Sequence, residues 1–180
     1  MNETEFRALL DENGILREGA LRSPARDAAF TVFSQRPDAV LDMGVLKQQA
    51  SRFFNAKLGL TVEKKYASYL PETDAARIVL SANEGAGTRL VFGRRADGAD
   101  LAAAEEAERE METSGMSLLA QRCPTVWLIP FESADDRVAL TIAAIFASVM
   151  LGPIVSPSTA EIFGVRTARL KLEGRTSPYR

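Results

Sequence analysis

The sequence predicts an α+β fold, in which a helical N-terminal portion precedes a mainly antiparallel sheet of about four strands. Apolar residues recur at helical spacing up to Leu58, whereas short runs of β-branched and aromatic residues follow from Leu60. Two later helical patterns, one long and amphipathic and one apolar throughout, are expected to pack against this sheet. The boundaries are a helical portion over residues 1–59, an α+β core over 60–174 and a tail over 175–180, within one globular domain.

Three helices are predicted in the N-terminal portion. They cover residues 3–13, 23–37 and 43–58. The second begins with Ser23 and Pro24, which suit the N-cap and the first helical position. The third is the clearest amphipathic pattern, with Phe53 in its apolar stripe and Gly59 as its C-terminal cap.

Three short strands are predicted next, as an antiparallel meander. Their segments are LTVEKKYASYL, ARIVLSAN and TRLVFGRR. Each contains β-branched or aromatic residues, and turn-forming residues separate them. The connection between the second and third, NEGAG, contains Gly85 and Gly87 and is followed by Thr88 and Arg89, which raises the question of a phosphate-binding loop.

The glycine segment does not match either common phosphate-binding motif. A Walker loop requires a Gly-Lys pair, which the sequence lacks, and the dinucleotide fingerprint requires a third glycine where Leu90 stands. Both motifs also direct the phosphate to a helix N-terminus, whereas the residues after Thr88 resemble a strand. The segment therefore predicts a hairpin, with glycines at positions of positive φ.

The remaining chain predicts two helices around one buried strand. A long helix covers residues 99–121, with Gly115 as a potential break, and the strand lies within PTVWLIPF. An apolar helix over Val138–Leu151 follows and is expected to be central in the core. Residues 158–173 fit either a capped helix or a half-buried strand, and the helix is slightly favoured.

The apolar helix is too short to predict a membrane span. Residues 138–160 carry no charge, but Gly152 and Pro153 divide them. The helical part would extend about 21 Å, whereas a bilayer core is about 30 Å thick. We expect a buried helix whose small residues let a second helix approach closely.

Composition excludes several functions. The 22 basic and 24 acidic side chains give a net charge of -2, which does not favour nucleic-acid binding. The absence of histidine removes Ser-His and Cys-His nucleophile pairs within the chain, so no catalytic residue, metal site or cofactor is assigned and enzymatic activity is not favoured. The single cysteine, Cys123, is expected to be a packed thiol, and the polar N-terminus favours a cytoplasmic location.

The segment PFESADDRV is the first candidate site, because it joins the predicted buried strand to the apolar helix. Ligands collect at strand ends in α/β sheets, and carboxylates could bind a divalent metal. The candidate ligand-binding residues are Glu132, Ser133, Asp135, Asp136 and Arg137. The alternative is helix capping, with Ser133 as N-cap and Asp136 three positions later.

A second candidate is a basic interaction surface that would form if the C-terminal segment lies beside the hairpin. Its residues are Arg89, Arg94, Arg95, Arg166 and Arg169. Such a surface would bind an acidic partner or a second subunit, and the alternative is an ordinary solvated face of mixed charge.

Two functions follow from these observations. The first is a non-enzymatic protein-interaction or adaptor/chaperone-like module that binds a protein partner or self-associates as a homodimer. The alternative is a small ligand-binding domain or metal-assisted enzyme with a carboxylate site at residues 130–138. A small acidic domain that mixes a β-meander with helices resembles protein-specific secretion chaperones in composition and element order, although no motif identifies a family.

Overall fold

The computed structural model of the protein describes residues 4, 8, 24–37, 41–62, 74–82, 85–111, 115–133, 135–157 and 161–174. Within these ranges the chain forms one antiparallel sheet of five longer strands and two two-residue strands, together with five α-helices. The predicted α+β class and the antiparallel sheet are therefore confirmed.

The described elements are seven strands and five α-helices. The strands are β1 (Ala29–Ser34), β2 (Ala56–Val62), β3 (Asp74–Ala82), β4 (Gly85–Arg95), β5 (Thr125–Pro130), β6 (Ile154–Val155) and β7 (Ile162–Phe163). The helices are α1 (Met43–Phe54), α2 (Gly98–Met111), α3 (Met116–Gln121), α4 (Arg137–Met150) and α5 (Val165–Leu172). The strand order is β2-β3-β4-β5-β1-β6-β7, so β2 and β7 are the two edges of the sheet.

The predicted meander is formed by β2, β3 and β4, but β2 begins at Ala56, among residues predicted as helix, and shares only residues 60–62 with the predicted strand LTVEKKYASYL. Strands β3 and β4 pair up to Ala82 and Gly85, so two residues separate them and the hairpin is confirmed. Gly85 and Gly87 were predicted at turn positions of positive φ, but both lie in β4, and Gly87 does not have a positive φ. A Cβ atom at Gly87 would lie 2.9 Å from Cγ1 of Val138, so glycine permits close packing between β4 and α4.

The predicted helix over residues 23–37 is wrong. A 3₁₀ turn at Arg26–Ala28 leads into β1, which pairs with β5 on one side and β6 on the other. All six residues of β1 are buried. A strand covered on both faces shows no polar and apolar alternation, so the segment lacked the period that distinguishes strands from helices.

Helices cover both faces of the sheet. On one face, α4 packs against residues that include Phe30, Val91 and Trp127, and α1 and α5 pack against α4. On the other face, α2 and α3 pack near Phe33 and Val126. Ile142, near the middle of α4, is fully buried, which confirms the predicted central apolar helix.

Three other boundaries differ from the prediction or refine it. Helix α1 ends at Phe54 rather than at residue 58, because Asn55 adopts the left-handed conformation and caps it. The predicted cap Gly59 lies in β2 instead. The long helix is interrupted before α3, where Gly115 has φ 91°. Residues 161–174 contain both a short strand and a helix, so each interpretation of this segment applies to one part of it.

Three predictions concern residues outside the described ranges. They are the first helix, apart from Thr4 and Ala8, residues 63–70 of the first predicted strand, and the tail over residues 175–180. Among the helices that are described, none combines the length and the apolar character needed to cross a membrane.

Candidate functional site

The predicted site between β5 and α4 is organised around Asp136. One carboxylate oxygen accepts from the Ala139 N–H at 2.9 Å, which makes Asp136 the N-cap of α4. The other oxygen accepts from the Glu132 N–H at 3.0 Å and from two nitrogens of Arg89 at 2.5 and 3.2 Å. The alternative that placed Ser133 at the N-cap is therefore corrected, because Asp136 occupies that position itself.

The environment of Asp136 keeps its carboxyl group ionised. Burial by itself raises the pKa of this group, but hydrogen bonds from the Ala139 N–H, Arg89 and the Glu132 N–H hold the pKa below its usual range. The ionised carboxylate joins β4 to the start of α4 through Arg89. Capping and ion pairing thus account for Asp136.

The other four predicted ligand-binding residues lie at the surface around this cap. The Glu132 carboxylate is 3.2 Å from Nη1 of Arg89, so the structure brings Glu132 and Asp136 together on one arginine. Arg137 donates to the Leu172 carbonyl oxygen, away from this pair. Ser133 and Asp135 are exposed. Ligand binding by this segment stays a prediction.

The geometry of the described residues does not assemble a metal centre. Among them, no group of three or more His, Cys, Asp or Glu side chains is placed to hold a metal ion. The Cys123 thiol is buried and donates to the Leu119 carbonyl oxygen at 3.3 Å. Burial raises its pKa to about 11, as expected for the packed thiol that the sequence predicted.

A second ion-pair cluster, which sequence reasoning missed, is centred on Asp100 in α2. This carboxylate is 1% exposed and accepts from Nη1 and Nη2 of Arg94 at 2.6 and 2.8 Å. Nε of Arg26 donates to it at 2.7 Å, and the Asp97 N–H at 3.0 Å. Burial raises the pKa of Asp100, but the hydrogen bonds from Arg94 and Arg26 outweigh it and hold the pKa below its usual range.

A cleft of about 160 Å³ opens beside the Asp100 cluster. Its walls include Arg26, Asp27, Thr31, Glu106, Val155 and Ser156. The two oxygens of Asp100 already accept four hydrogen bonds, which uses the normal acceptor capacity of a carboxylate. The cluster therefore acts as a clamp between β4, α2 and the turn before β1.

The five arginines of the predicted interaction surface do not form one continuous face. Arg89 and Arg94 extend from opposite faces of β4, because their positions differ by an odd number of residues, and each is paired with a largely buried carboxylate. Arg95 is exposed at the end of the same strand. Arg166 and Arg169 are exposed on α5.

Arg169 belongs to a different surface, on which it meets the C-terminal end of α1. Its Cζ lies 5.9 Å from the centroid of the Phe53 ring, and the Cζ of Arg52 lies 5.1 Å from the same centroid. The Phe53 side chain is 39% exposed, so it does not fill the core position that the helical pattern predicted. We call Arg52, Phe53 and Arg169 the Phe53 patch.

Neither guanidinium of the Phe53 patch forms an ion pair with a carboxylate in the described part of the chain. Both side chains are exposed, and each lies within the distance typical of cation–π contacts. Sequence reasoning identified Arg169 but not Arg52 or Phe53. The available signal was the Arg-Phe-Phe sequence at the end of α1, where one of two adjacent aromatic residues must point away from the core.

In the described part of the chain, the fold and these clusters define an α+β domain with two buried, paired carboxylates and an exposed aromatic and basic patch. Comparison with known proteins adds no assignment, since no family model, no curated protein and no solved structure matches the chain.

Proposed function

We propose that this protein is a non-enzymatic protein-interaction module, of the adaptor or chaperone-like kind, that binds its partner through the Phe53 patch. The observation that carries the proposal is an exposed phenylalanine between two arginines that pair with no described carboxylate. Aromatic residues and arginine are enriched in protein interfaces, and arginine contributes often to the small set of residues that dominate binding energy.

The Phe53 patch differs chemically from the Asp136 and Asp100 clusters. In both clusters the buried aspartate accepts four hydrogen bonds from partners within the chain, so its acceptor capacity is already used. In the patch, contact with the ring restricts the arginines while their donors have no described carboxylate to bind. A partly ordered donor loses less side-chain entropy when a partner binds, which favours its use in recognition.

The proposal includes self-association, with a second copy of the chain as the partner, and a cytoplasmic location. A reducing compartment suits a protein whose single cysteine is a buried thiol. Sedimentation of the purified protein over a range of concentrations distinguishes a homodimer from a monomer that binds a different protein.

Site-specific photo-crosslinking tests the proposal. A photoreactive phenylalanine analogue replaces Phe53 in one variant and Leu118 in a control, since Leu118 is 61% exposed on α3, which packs on the other face of the sheet. We expect position 53 to give a discrete crosslinked protein species in cells, because the patch contacts a partner. The same species should weaken when Arg52 and Arg169 are both changed to glutamine in the crosslinking variant.

The proposal would be wrong if position 53 gave no discrete species, or gave the same diffuse set of species as position 118. It would also be wrong if the species at position 53 were unaffected by the two glutamine substitutions. Both variants carry the analogue at an exposed position, where a substitution usually changes stability little. Circular dichroism and a melting curve establish that each variant is folded.

A further inference from the structure

Among the described strands, β2 forms one edge of the sheet. All seven of its residues pair with β3, and no strand in the described ranges pairs with its outer side. The opposite edge, β7, has two residues. A long edge strand presents unpaired backbone N–H and C=O groups, to which an extended chain can add as a further strand.

The open edge begins beside the Phe53 patch. Helix α1 ends at Phe54, Asn55 turns the chain with φ 49°, and β2 starts at Ala56. Phe53 and the first residue of the edge are therefore three positions apart in the chain. A segment that lies along β2 would therefore have one of its ends near the C-terminal end of α1, which carries Phe53.

The charged side chains that the structure describes in β2 and in the Phe53 patch are all positive, on a protein whose net charge is -2. The edge sequence AKLGLTV contains one basic residue, the exposed Lys57, and no acidic residue. Lys57, Arg52 and Arg169 form no ion pair with a described carboxylate. Lys57 projects from the face of β2 opposite the buried Leu58, whereas the two arginines lie on helices packed on the Leu58 side, so cations flank the edge on both faces. They are complementary to an acidic segment, and a basic segment would be repelled.

We infer that an acidic polypeptide segment adds to the outer side of β2 as an eighth strand, with an apolar side chain against Phe53 and acidic side chains near Arg52, Lys57 and Arg169. This inference rests on the proposed function, since it assumes that the Phe53 patch binds a protein. Seven strand residues extend roughly 23 Å, so the bound segment has about seven residues. The backbone supplies the pairing, and the side chains supply the selection for acidic partners.

Three fluorescein-labelled peptides of about ten residues, a little longer than the edge, test the inference by fluorescence polarisation with the full-length protein. The first is made of Glu and Val, with Glu on both faces of the extended chain, and has one Phe near each end. The second has Lys in place of each Glu. The third is the acidic peptide with N-methyl groups on alternate backbone nitrogens, chosen on the edge that would face β2, so that it keeps its charge but loses the donors for strand pairing.

We expect the acidic peptide to bind and the lysine peptide not to bind. N-methylation should weaken binding by roughly tenfold or more, because several backbone hydrogen bonds are lost. The Arg52→Gln/Arg169→Gln double variant and Lys57→Gln should each weaken binding of the acidic peptide. Arg109→Gln is the matched control, because Arg109 is an exposed arginine on α2, at the other face of the sheet, and its loss should leave binding unchanged.

Failure of this inference is distinguishable from failure of the proposed function. The inference of an added acidic strand is wrong if the N-methylated peptide binds as tightly as its parent, or if the lysine peptide binds as well as the acidic one. In either case a crosslink from position 53 can still support the proposed protein-interaction module. If no peptide binds and the protein sediments as a dimer that Lys57→Glu dissociates, the occupant of the edge is a second copy and the inference is wrong.

Discussion

Arg94 and Arg169 show two opposite uses of the same side chain in one small domain. Arg94 lies mostly inside the protein and makes two short hydrogen bonds to the buried Asp100 carboxylate. Arg169 lies at the surface and contacts the Phe53 ring, with no described carboxylate as an ion-pair partner. The first arginine is part of the structure, whereas the second is available for recognition.

The difference follows from the neighbouring elements and not from the arginines themselves. Asp100 reaches Arg94 because α2 begins three residues after β4 ends, which returns an acidic side chain to the face of the strand that Arg94 occupies. Helices α1 and α5 meet through their packing on α4 and bring two arginines and an aromatic ring together without an acid. Removing partners from the two regions should therefore affect different properties of the protein.

The largest effect is expected when the carboxylate of the Asp100 cluster is removed. Asp100→Ala leaves Arg94 and Arg26 without their shared acceptor, and breaking a buried ion pair by removing one partner is strongly destabilising. We expect a loss of roughly 3 kcal/mol in the free energy of unfolding, reduced from the fully buried case because both arginines are partly exposed. Urea unfolding followed by the fluorescence of Trp127, the one tryptophan of the chain, measures it.

Glu110→Ala is the control for this experiment, because Glu110 is an exposed acid on the same helix. Its loss should change the unfolding free energy by no more than about 0.5 kcal/mol. Equal stability of the Asp100→Ala variant and the parent would show that the cluster does not contribute to the fold as its geometry indicates.

A smaller effect is expected from acid, with a sign set by the two paired carboxylates. The pKa values of Asp100 and Asp136 are lower in the folded protein than their usual values, so the stability from ionisation is complete above the unfolded value of about 3.9. It is lost as the pH falls from that value through the lower folded ones. Urea midpoints should therefore be nearly constant from about pH 7 to 5 and fall below about pH 4.

Asp136→Asn isolates one of these contributions, because asparagine can still cap α4 but carries no charge for Arg89. The acid-dependent part of the midpoint shift should be smaller in this variant than in the parent. A parent protein that became more stable on acidification would contradict the assignment of both carboxylates.

The elements that sequence patterns predicted well are those with a single buried face or a distinctive end. Strands β3 and β4 and the apolar helix α4 have a clear period or an unbroken apolar run, and Gly115 marks a real interruption. Strand β2 was predicted four residues too late, because the apolar spacing of α1 was continued past Asn55. Strand β1 was missed because Ser23 and Pro24 imitate a helix start and because both of its faces are buried. Its partners, β5 and β6, come from distant parts of the sequence, so local patterns carry no information about them.

The candidate sites show the same division between local and distant information. The junction at Asp136 was predicted as a place of interest because strand, loop and helix are consecutive in the chain. Arg89 was known to be basic, but its pairing with Asp136 joins residues 47 positions apart and depends on the packing of β4 against α4. The Phe53 patch likewise depends on the approach of α5 to α1. The two helices approach each other because both pack on α4.

The smallest effect on stability is expected at the Phe53 patch, where the same kind of change should alter recognition. The Arg52→Gln/Arg169→Gln double variant keeps long polar side chains and removes two exposed charges that pair with no described carboxylate. We expect its unfolding free energy to remain within about 0.5 kcal/mol of the parent, because exposed charges without close partners contribute little. The double variant and Asp100→Ala are measured under the same urea conditions. If both lose a similar amount of unfolding free energy, the patch arginines stabilise the fold and the contrast with Arg94 no longer stands. An unchanged midpoint together with a weakened crosslink at position 53 is the result that separates recognition from folding.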